Sequence, residues 1–329
     1  MPAPSLKQAS AALAAGELER ASRLFQAGYT NAIAVGDRKN AGKFLSGLAT
    51  VKFSSLQYKA ALVDYLNARQ LSEAVNDTET LGRIAANLSS LYRQMDDIPS
   101  ALEFARRALE VLPKEAALGM RARWLMHTAS LYAAQSDMVA AARLYSEGVR
   151  EADRTGDKAL AAQGWSLLGY HYLVRGSLAN AEICLTEGFR LRSLLKTPEI
   201  AVNYRDLGAL RLAQGDANSA VNLLSAGIAI ADKNTLHEPR YGFYYRRALA
   251  LAALGRNAEA LLEFQIATQM ARRWRSEMVP ADAVRVGADV RLQTMYSDYI
   301  AAGMKQYEET RDPDLAQRMF LAAEENRAT

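Results

Sequence analysis

The 329-residue sequence predicts an all-α fold of about seven helix pairs in tandem, with a further helical pair at the C-terminal end. Three observations predict it. Alanine recurs at Ala21, Ala61, Ala101, Ala141, Ala181, Ala220 and Ala260, in steps of 40, 40, 40, 40, 39 and 40. Seven residues further on, each unit carries Gly or Ala: Gly28, Ala68, Ala108, Gly148, Gly188, Gly227 and Ala267. The first half of each unit has its own small residue, at Ala9, Ala49, Ser89, Ala129, Gly169, Gly208 and Ala248. A fixed period of this length marks stacked supersecondary units.

Each element follows from spacing. Leu48, Leu88, Leu168 and Leu207 precede the first-half small residue, and Tyr92, Tyr132 and Tyr172 follow it by three. In the second half Phe25, Tyr65, Tyr145, Leu185, Leu224 and Phe264 stand three before the second small position, with Ala105 breaking the pattern. Apolar residues at 3–4 spacing in two runs predict two amphipathic helices per unit. Gly16, Leu56, Asp96, Ser136, Gly176, Gly215 and Gly255 fall between the two runs, where a tight turn is needed. Asp97, Asp137, Ser177 and Asp216 follow as N-caps. Gly36-Asp37, Asn76-Asp77, Gly156-Asp157 and Thr197-Pro198-Glu199 separate units, with Pro198 suited to a first helical position. Each helix is then about 17–18 residues, roughly 26 Å long. The units run 1–36, 37–76, 77–115, 116–156, 157–196, 197–236 and 237–275, with 276–329 forming the C-terminal helical pair. Small residues at the crossings let two backbones approach while a neighbouring large side chain fills the gap beside them. One pair cannot bury its apolar face alone; stacking makes a continuous core.

Composition excludes several classes. Half of the residues are hydrophobic and the net charge is only +4, which excludes a disordered chain. A single cysteine, Cys184, excludes a disulfide scaffold and is compatible with a reducing compartment; a cytoplasmic location is expected. No run of 18 apolar residues is present, so no membrane association is expected. The Ala-rich stretch from Ala9 to Ala15 could serve as a weak signal sequence, but the repeat register favours a first helix.

The combination of small residue, Tyr, Ala, aromatic and Gly/Ala at positions 8, 11, 20, 24 and 27 resembles the tetratricopeptide repeat. It is clearest in the fifth unit, with Trp165, Leu168, Gly169, Tyr172, Ala181 and Gly188; Pro113 occupies the family's terminal proline position in the third. The family's usual unit is 34 residues, so the resemblance implies longer helices, in a right-handed α-α superhelix. HEAT-type repeats share a period near 40 but leave the small/aromatic register unexplained. Farther along, Ala271-Arg272-Arg273-Trp274-Arg275, Val279-Pro280-Ala281-Asp282, Met295-Tyr296-Ser297-Asp298-Tyr299 and Phe320-Leu321-Ala322-Ala323-Glu324-Glu325 resemble the segment joining repeats to a CHAT domain, a caspase-like cysteine protease module, in bacterial proteins. That resemblance implies a sensor or regulatory region, cut before a catalytic domain that it would contact intramolecularly. Pro313, Ala316, Phe320 and Ala323 are expected at the start and on the inner face of the last helix.

No catalytic, metal or cofactor set emerges from the residues. Cys184 and His171 share a unit, yet no orienting group or oxyanion turn accompanies them. There is no His-Glu-x-x-His and no Cys pair. Gly36-Asp37-Arg38-Lys39-Asn40-Ala41-Gly42-Lys43-Phe44 has five residues between its glycines, not four, and Phe44 where a magnesium-binding hydroxyl belongs.

The family resemblance implies a groove lined by first helices. Mapped onto this chain, it supplies Lys43, Ser46, Thr50 and Phe53, then Arg83, Asn87, Ser90 and Arg93, then Arg123, Met126, His127 and Ser130, then Ser166 and Tyr170, Arg205, and Tyr245 with Arg246. The candidate binding residues are Arg83, Asn87, Ser90, Arg93, Arg123, His127, Tyr170, Arg205, Tyr245 and Arg246. Asn87 and Arg123 match two positions of the family's carboxylate clamp; Ser46, Thr50 and His127 replace the other three, so a chaperone-tail clamp is not expected. Arginine grips carboxylates bidentately and stacks on aromatic rings, which favours an acidic or extended peptide, although the same arginines could be solvated helix surface. A basic-groove sensor of nucleic acid or a small ligand is the alternative, disfavoured by the small net charge. Arg272, Arg273 and Arg275 suit a helix C-terminus.

Overall fold

The computed structural model describes residues 4–111, 118–234, 240–278 and 286–328. Among them are helices and no strand. The chain forms two compact units, Met1–Glu151 and Ala152–Thr329. The first holds α1 (Leu6–Ala14), α2 (Leu18–Ala34), α3 (Arg38–Ser54), α4 (Tyr58–Glu73), α5 (Thr78–Gln94), α6 (Ile98–Val111), α7 (Leu118–Ala134) and most of α8 (Met138–Arg154). The second holds α9 (Lys158–Val174), α10 (Leu178–Leu195), α11 (Ile200–Ala213), α12 (Ala217–Ala231), α13 (Tyr241–Ala253), α14 (Asn257–Met278), α15 (Val286–Thr310) and α16 (Pro313–Ala328).

Sequence neighbours pack as antiparallel partners: α1 on α2, α3 on α4, α5 on α6, α9 on α10, α11 on α12 and α13 on α14. Odd-numbered helices also touch one another, α1 with α3 and α3 with α5 in the first unit, α9 with α11 and α11 with α13 in the second. Within each unit the first helices of successive pairs therefore share one face.

The turns obey the predicted punctuation. Leu56, Asp96 and Ser136 hold φ of 60°, 60° and 63°, at the register where Gly16, Gly176, Gly215 and Gly255 stand elsewhere. At Leu56 the closing bonds run from Leu56 N to Phe53 O (3.0 Å) and from Gln57 N to Lys52 O (2.9 Å), which satisfies carbonyls the helix end would leave open. Asp97, Asp137 and Asp216 cap their helices through bonds from Ser100, Ala140 and Ser219 N–H. Ser177 does not cap; its hydroxyl accepts from the Asn180 side chain instead. The Thr197-Pro198-Glu199 link also departs from expectation. Lys196 takes the left-handed conformation, and a turn with bonds from Ile200, Ala201 and Val202 N–H to the carbonyls of 197–199 delays the α-helix to Ile200, beyond Pro198. Helices α11, α12 and α13 are shorter than predicted, at 14, 15 and 13 residues.

The small residues lie at the crossings. All seven alanines of the forty-residue series are 0% exposed. Gly169 shows why: a Cβ there would lie 2.9 Å from the backbone nitrogen of Leu185 and 2.7 Å from its Cγ. At Gly148 it would lie 3.3 Å from the Ala122 carbonyl oxygen. The large partners fill the adjoining space, Phe25, Tyr65, Leu185, Leu224 and Phe264 being fully or nearly fully buried. Each such side chain contributes about 1.5–3 kcal/mol over an exposed one. Tyr65 also donates its hydroxyl to Thr50 Oγ1 at 2.9 Å, and burial pushes its phenol up to about 12.

Two faces were displaced by one position. Met126, expected in the groove, is 3% exposed and belongs to the core, while its neighbour His127 lies beside the groove. On α16 the buried residues are Leu315, Met319 and Ala322, with Phe320 exposed, because Gly303 on α15 opens the space that receives the Met319 side chain. Ser5 and Gln8 form a reciprocal capping box that starts α1, and Ala9 and Ala12 bury its inner face.

Candidate functional site

In the first unit a recess of about 220 Å³ opens between α5, α6 and α7. Helix α5 contributes Ala86, Asn87, Ser89 and Ser90; α6 contributes only Ala105 and Ala108; α7 contributes Arg123, Trp124, His127 and Thr128. The two α6 alanines keep that wall low: Ala108 is the small crossing residue of its unit, and Ala105 is the break in the aromatic register noted in the sequence. Four sequence-predicted residues, Asn87, Ser90, Arg123 and His127, meet here. Arg123 and His127 are one helical turn apart on α7 and so share a face.

The recess has a defined polar floor. Asn87 Nδ2 lies 3.5 Å from Thr50 Oγ1, which itself donates to the Ser46 carbonyl and accepts from Tyr65. Ser90 donates back to Ala86 O at 3.2 Å. Ser89 Oγ is 2.7 Å from the Ala101 carbonyl oxygen and 2.8 Å from His127 Nε2. A carbonyl can only accept, so the Ser89 proton goes to Ala101, and His127 must donate its Nε2 proton to Ser89. The imidazole is thereby fixed as the Nε2–H tautomer, with its lone pair on Nδ1. Burial, and secondarily the charge of Arg93, push His127 down to about 4, so it is neutral near pH 7.

Ser89 and His127 superficially match a nucleophile and its base. Ser89 is 0% exposed and its proton is committed to a backbone carbonyl, so this pair is structural. Arg83 and Arg93, on the same helix as Asn87, are exposed; Arg83 reaches Thr80 Oγ1 at 3.4 Å, and neither arginine is in an ion pair among the described residues. The recess thus combines arginine charge, an amide, a neutral imidazole and the indole of Trp124.

The remaining candidates lie in the second unit. Arg246 bonds the Gly242 carbonyl at 3.1 Å and lies 3.5 Å from the Tyr170 hydroxyl, linking α13 to α9. Tyr245 donates to Asp298 Oδ2 on α15 at 2.6 Å; burial and that carboxylate raise its phenol far above the ordinary value. Arg205 is held by the adjacent Asp206 at 2.9 Å and lies over the Phe243 ring, with its side chain 13% exposed. Asn203 donates to Ser166 Oγ at 2.8 Å, across the same 37-residue step as Asn87 to Thr50 but one turn earlier in the register. Sequence reasoning missed Trp124, Asp298 and Asn203. Asn203, at 3% exposure, could have been found from its spacing to Ser166.

Elsewhere, burial pushes the Cys184 thiol up to about 11, the opposite of an activated nucleophile. Arg272 lies within α14, not at its end, and pairs with Glu325 of α16. No group of three or more possible metal ligands occurs among the described residues. No helix among them is long and apolar enough to cross a membrane.

Residues 40–114 match the tetratricopeptide repeat family. No curated protein sequence matches the chain. Among solved structures, the apo form of RapI aligns with a TM-score of 0.68 at 14% identity, covering 87% of this chain and 97% of that one. A Rap protein complexed with competence and sporulation factor aligns at 0.61 and 12% identity, covering 98% and 86%. A signal transduction ATPase with numerous domains and a tetratricopeptide repeat sensor, from Pyrococcus horikoshii, aligns at 0.66 and 16%, covering 83% of this chain and 42% of that one. The family match covers residues 40–114 alone, and these neighbours show an all-α repeat fold.

Proposed function

We propose that this chain is a peptide- or protein-binding scaffold whose first unit receives its guest in the recess between α5, α6 and α7. The single observation that carries the reading is the convergence there of Asn87, Arg123 and His127 beside Trp124. Asn can pair with an extended peptide backbone, arginine with a carboxylate, and an indole with an apolar or aromatic side chain. No covalent chemistry is assigned to these groups, and the chain acts by binding alone. In the second unit Tyr170, Tyr245 and Arg246 provide a separate polar surface, and Arg205 supports it from its place on Phe243.

The neighbouring Rap protein bound to competence and sporulation factor and the ATPase with its repeat sensor are consistent with such a role through their fold. The finer reading is a cytoplasmic, bacterial sensor region that contacts an appended caspase-like module. It rests on the resemblance of residues 271–329 and is tested by reading the gene downstream of codon 329 for an in-frame protease domain.

The direct test is selection of a random twelve-residue peptide library on the intact chain, followed by affinity measurement on wild type, Asn87→Ala and Arg123→Glu. Enriched peptides should be acidic and lose about tenfold or more in affinity with either substitution, in line with removal of a charged hydrogen bond. Enriched peptides indifferent to both would end the assignment. Binding of random-sequence RNA with a steep salt slope would favour the nucleic-acid alternative.

A further inference from the structure

We propose that the recess between α5, α6 and α7 is a carboxylate site in which ligand binding is coupled to uptake of one proton by Nδ1 of His127. The proposal rests on the peptide-binding reading and names the chemical group that is read and the condition that controls it. The geometry of Ser89 carries it. Because Ser89 gives its proton to Ala101 O and takes the Nε2 proton of His127, the imidazole has only Nδ1 left to offer. In the free protein Nδ1 carries a lone pair, which repels a carboxylate oxygen. Protonated, it becomes a donor with a positive charge, and a charge-assisted bond to a carboxylate is about twice as strong as a neutral one.

Burial first, and then the charge of Arg93, keeps the proton off the imidazole of the free protein. Arg93 faces it from α5, and Arg123 stands one turn away on α7. Helix α6 presents only Ala105 and Ala108. From α8, Tyr145 lies in the field of the same Arg93 and is itself buried and pushed up to about 12, so it is neutral. Among the described residues no acidic side chain lines the recess. A bound carboxylate would supply the missing negative charge, offset Arg93, and bring His127 back towards the ordinary imidazole value.

The magnitude follows from linkage. With the free-state value at about 4 and a bound-state value near the ordinary 6.5, affinity rises about tenfold between pH 7.5 and pH 5.5. The carboxylate could belong to an acidic side chain or to a chain terminus.

The experiment uses the full chain labelled with ¹⁵N-histidine, whose three residues are His127, His171 and His237. Four probes are titrated at pH 5.5, 6.5 and 7.5: acetyl-tetraalanine with a free carboxylate, acetyl-Ala-Ala-Glu-Ala-amide, its Gln analogue, and inorganic phosphate. The expected result is an Nε2–H tautomer for free His127. One or both carboxylate peptides should convert it to imidazolium and bind about tenfold tighter at pH 5.5 than at 7.5; which of the two does so identifies the source. In His127→Gln the ratio of affinities at pH 5.5 and 7.5 should fall from about ten to about one. The assignment is overturned if neither carboxylate peptide moves His127, if the Gln peptide or phosphate moves it as strongly, or if affinity is flat with pH. Library peptides that bind through Asn87 and Arg123 without any pH dependence would leave the peptide reading standing and remove this one.

Discussion

The tight crossing at Gly169 can be tested against a glycine that looks similar in the sequence. Both Gly169 and Gly82 are buried in first helices. A Cβ at Gly82 would meet Val111 Cγ1 at 3.5 Å and Trp124 at 3.8 Å, which is ordinary contact. A Cβ at Gly169 would meet the Leu185 backbone at 2.9 Å, and a backbone cannot rotate away. Gly→Ala within a helix gains about 1 kcal/mol from reduced backbone entropy cost. Overpacking costs about 1–3 kcal/mol. Gly82→Ala should therefore stabilise by about 1 kcal/mol, whereas Gly169→Ala should be neutral or destabilising by up to about 2 kcal/mol. Urea unfolding followed by circular dichroism, with midpoints compared at constant slope, reads the difference. Equal stabilisation by the two substitutions would refute the claim that small residues are present to let backbones approach.

Further outcomes follow from the same structure. Leu56→Gly should stabilise by about 0.5–1 kcal/mol in thermal unfolding, because Leu56 is held at φ 60° where glycine carries no Cβ penalty. The depressed His127 makes the unfolded chain bind more protons. Its contribution is present above about pH 6.5 and is lost as pH falls towards 4, up to about 3 kcal/mol. His127→Gln should flatten that acid arm of the stability profile. Cys184 should resist a thiol reagent at pH 8 in the native state and react on unfolding, since its thiol is 4% exposed and titrates at about 11. Tyr65→Phe should cost about 1 kcal/mol by removing the bond to Thr50.

The repeat register was legible because it is a one-dimensional signal. Alanine at 21 through 260 marks the crossings, and Leu56, Asp96 and Ser136 could be recognised as turn residues from their alignment with glycines. What crosses between helices was harder. Arg205 looked like groove charge, but its engagement depends on Asp206 next to it and on Phe243 two helices away. Tyr245 meets Asp298 from α15, 53 residues on, a spacing outside the forty-residue period. Ser89 and His127 are 38 residues apart, close to one period, yet their pairing requires both the Ala101 carbonyl and the correct face of α7. Met126 and His127 differ by one position, about 100° around a helix, enough to exchange core for groove.

The central functional claim is that a peptide occupies the face shared by α5 and α7. Amide hydrogen exchange of the full chain with and without a library-selected peptide tests it most directly. The account predicts added protection concentrated at the residues around Asn87 and Arg123–His127, with the second helices α2, α4 and α8 unchanged. Protection confined to those second helices, with α5 and α7 unaffected, would contradict it.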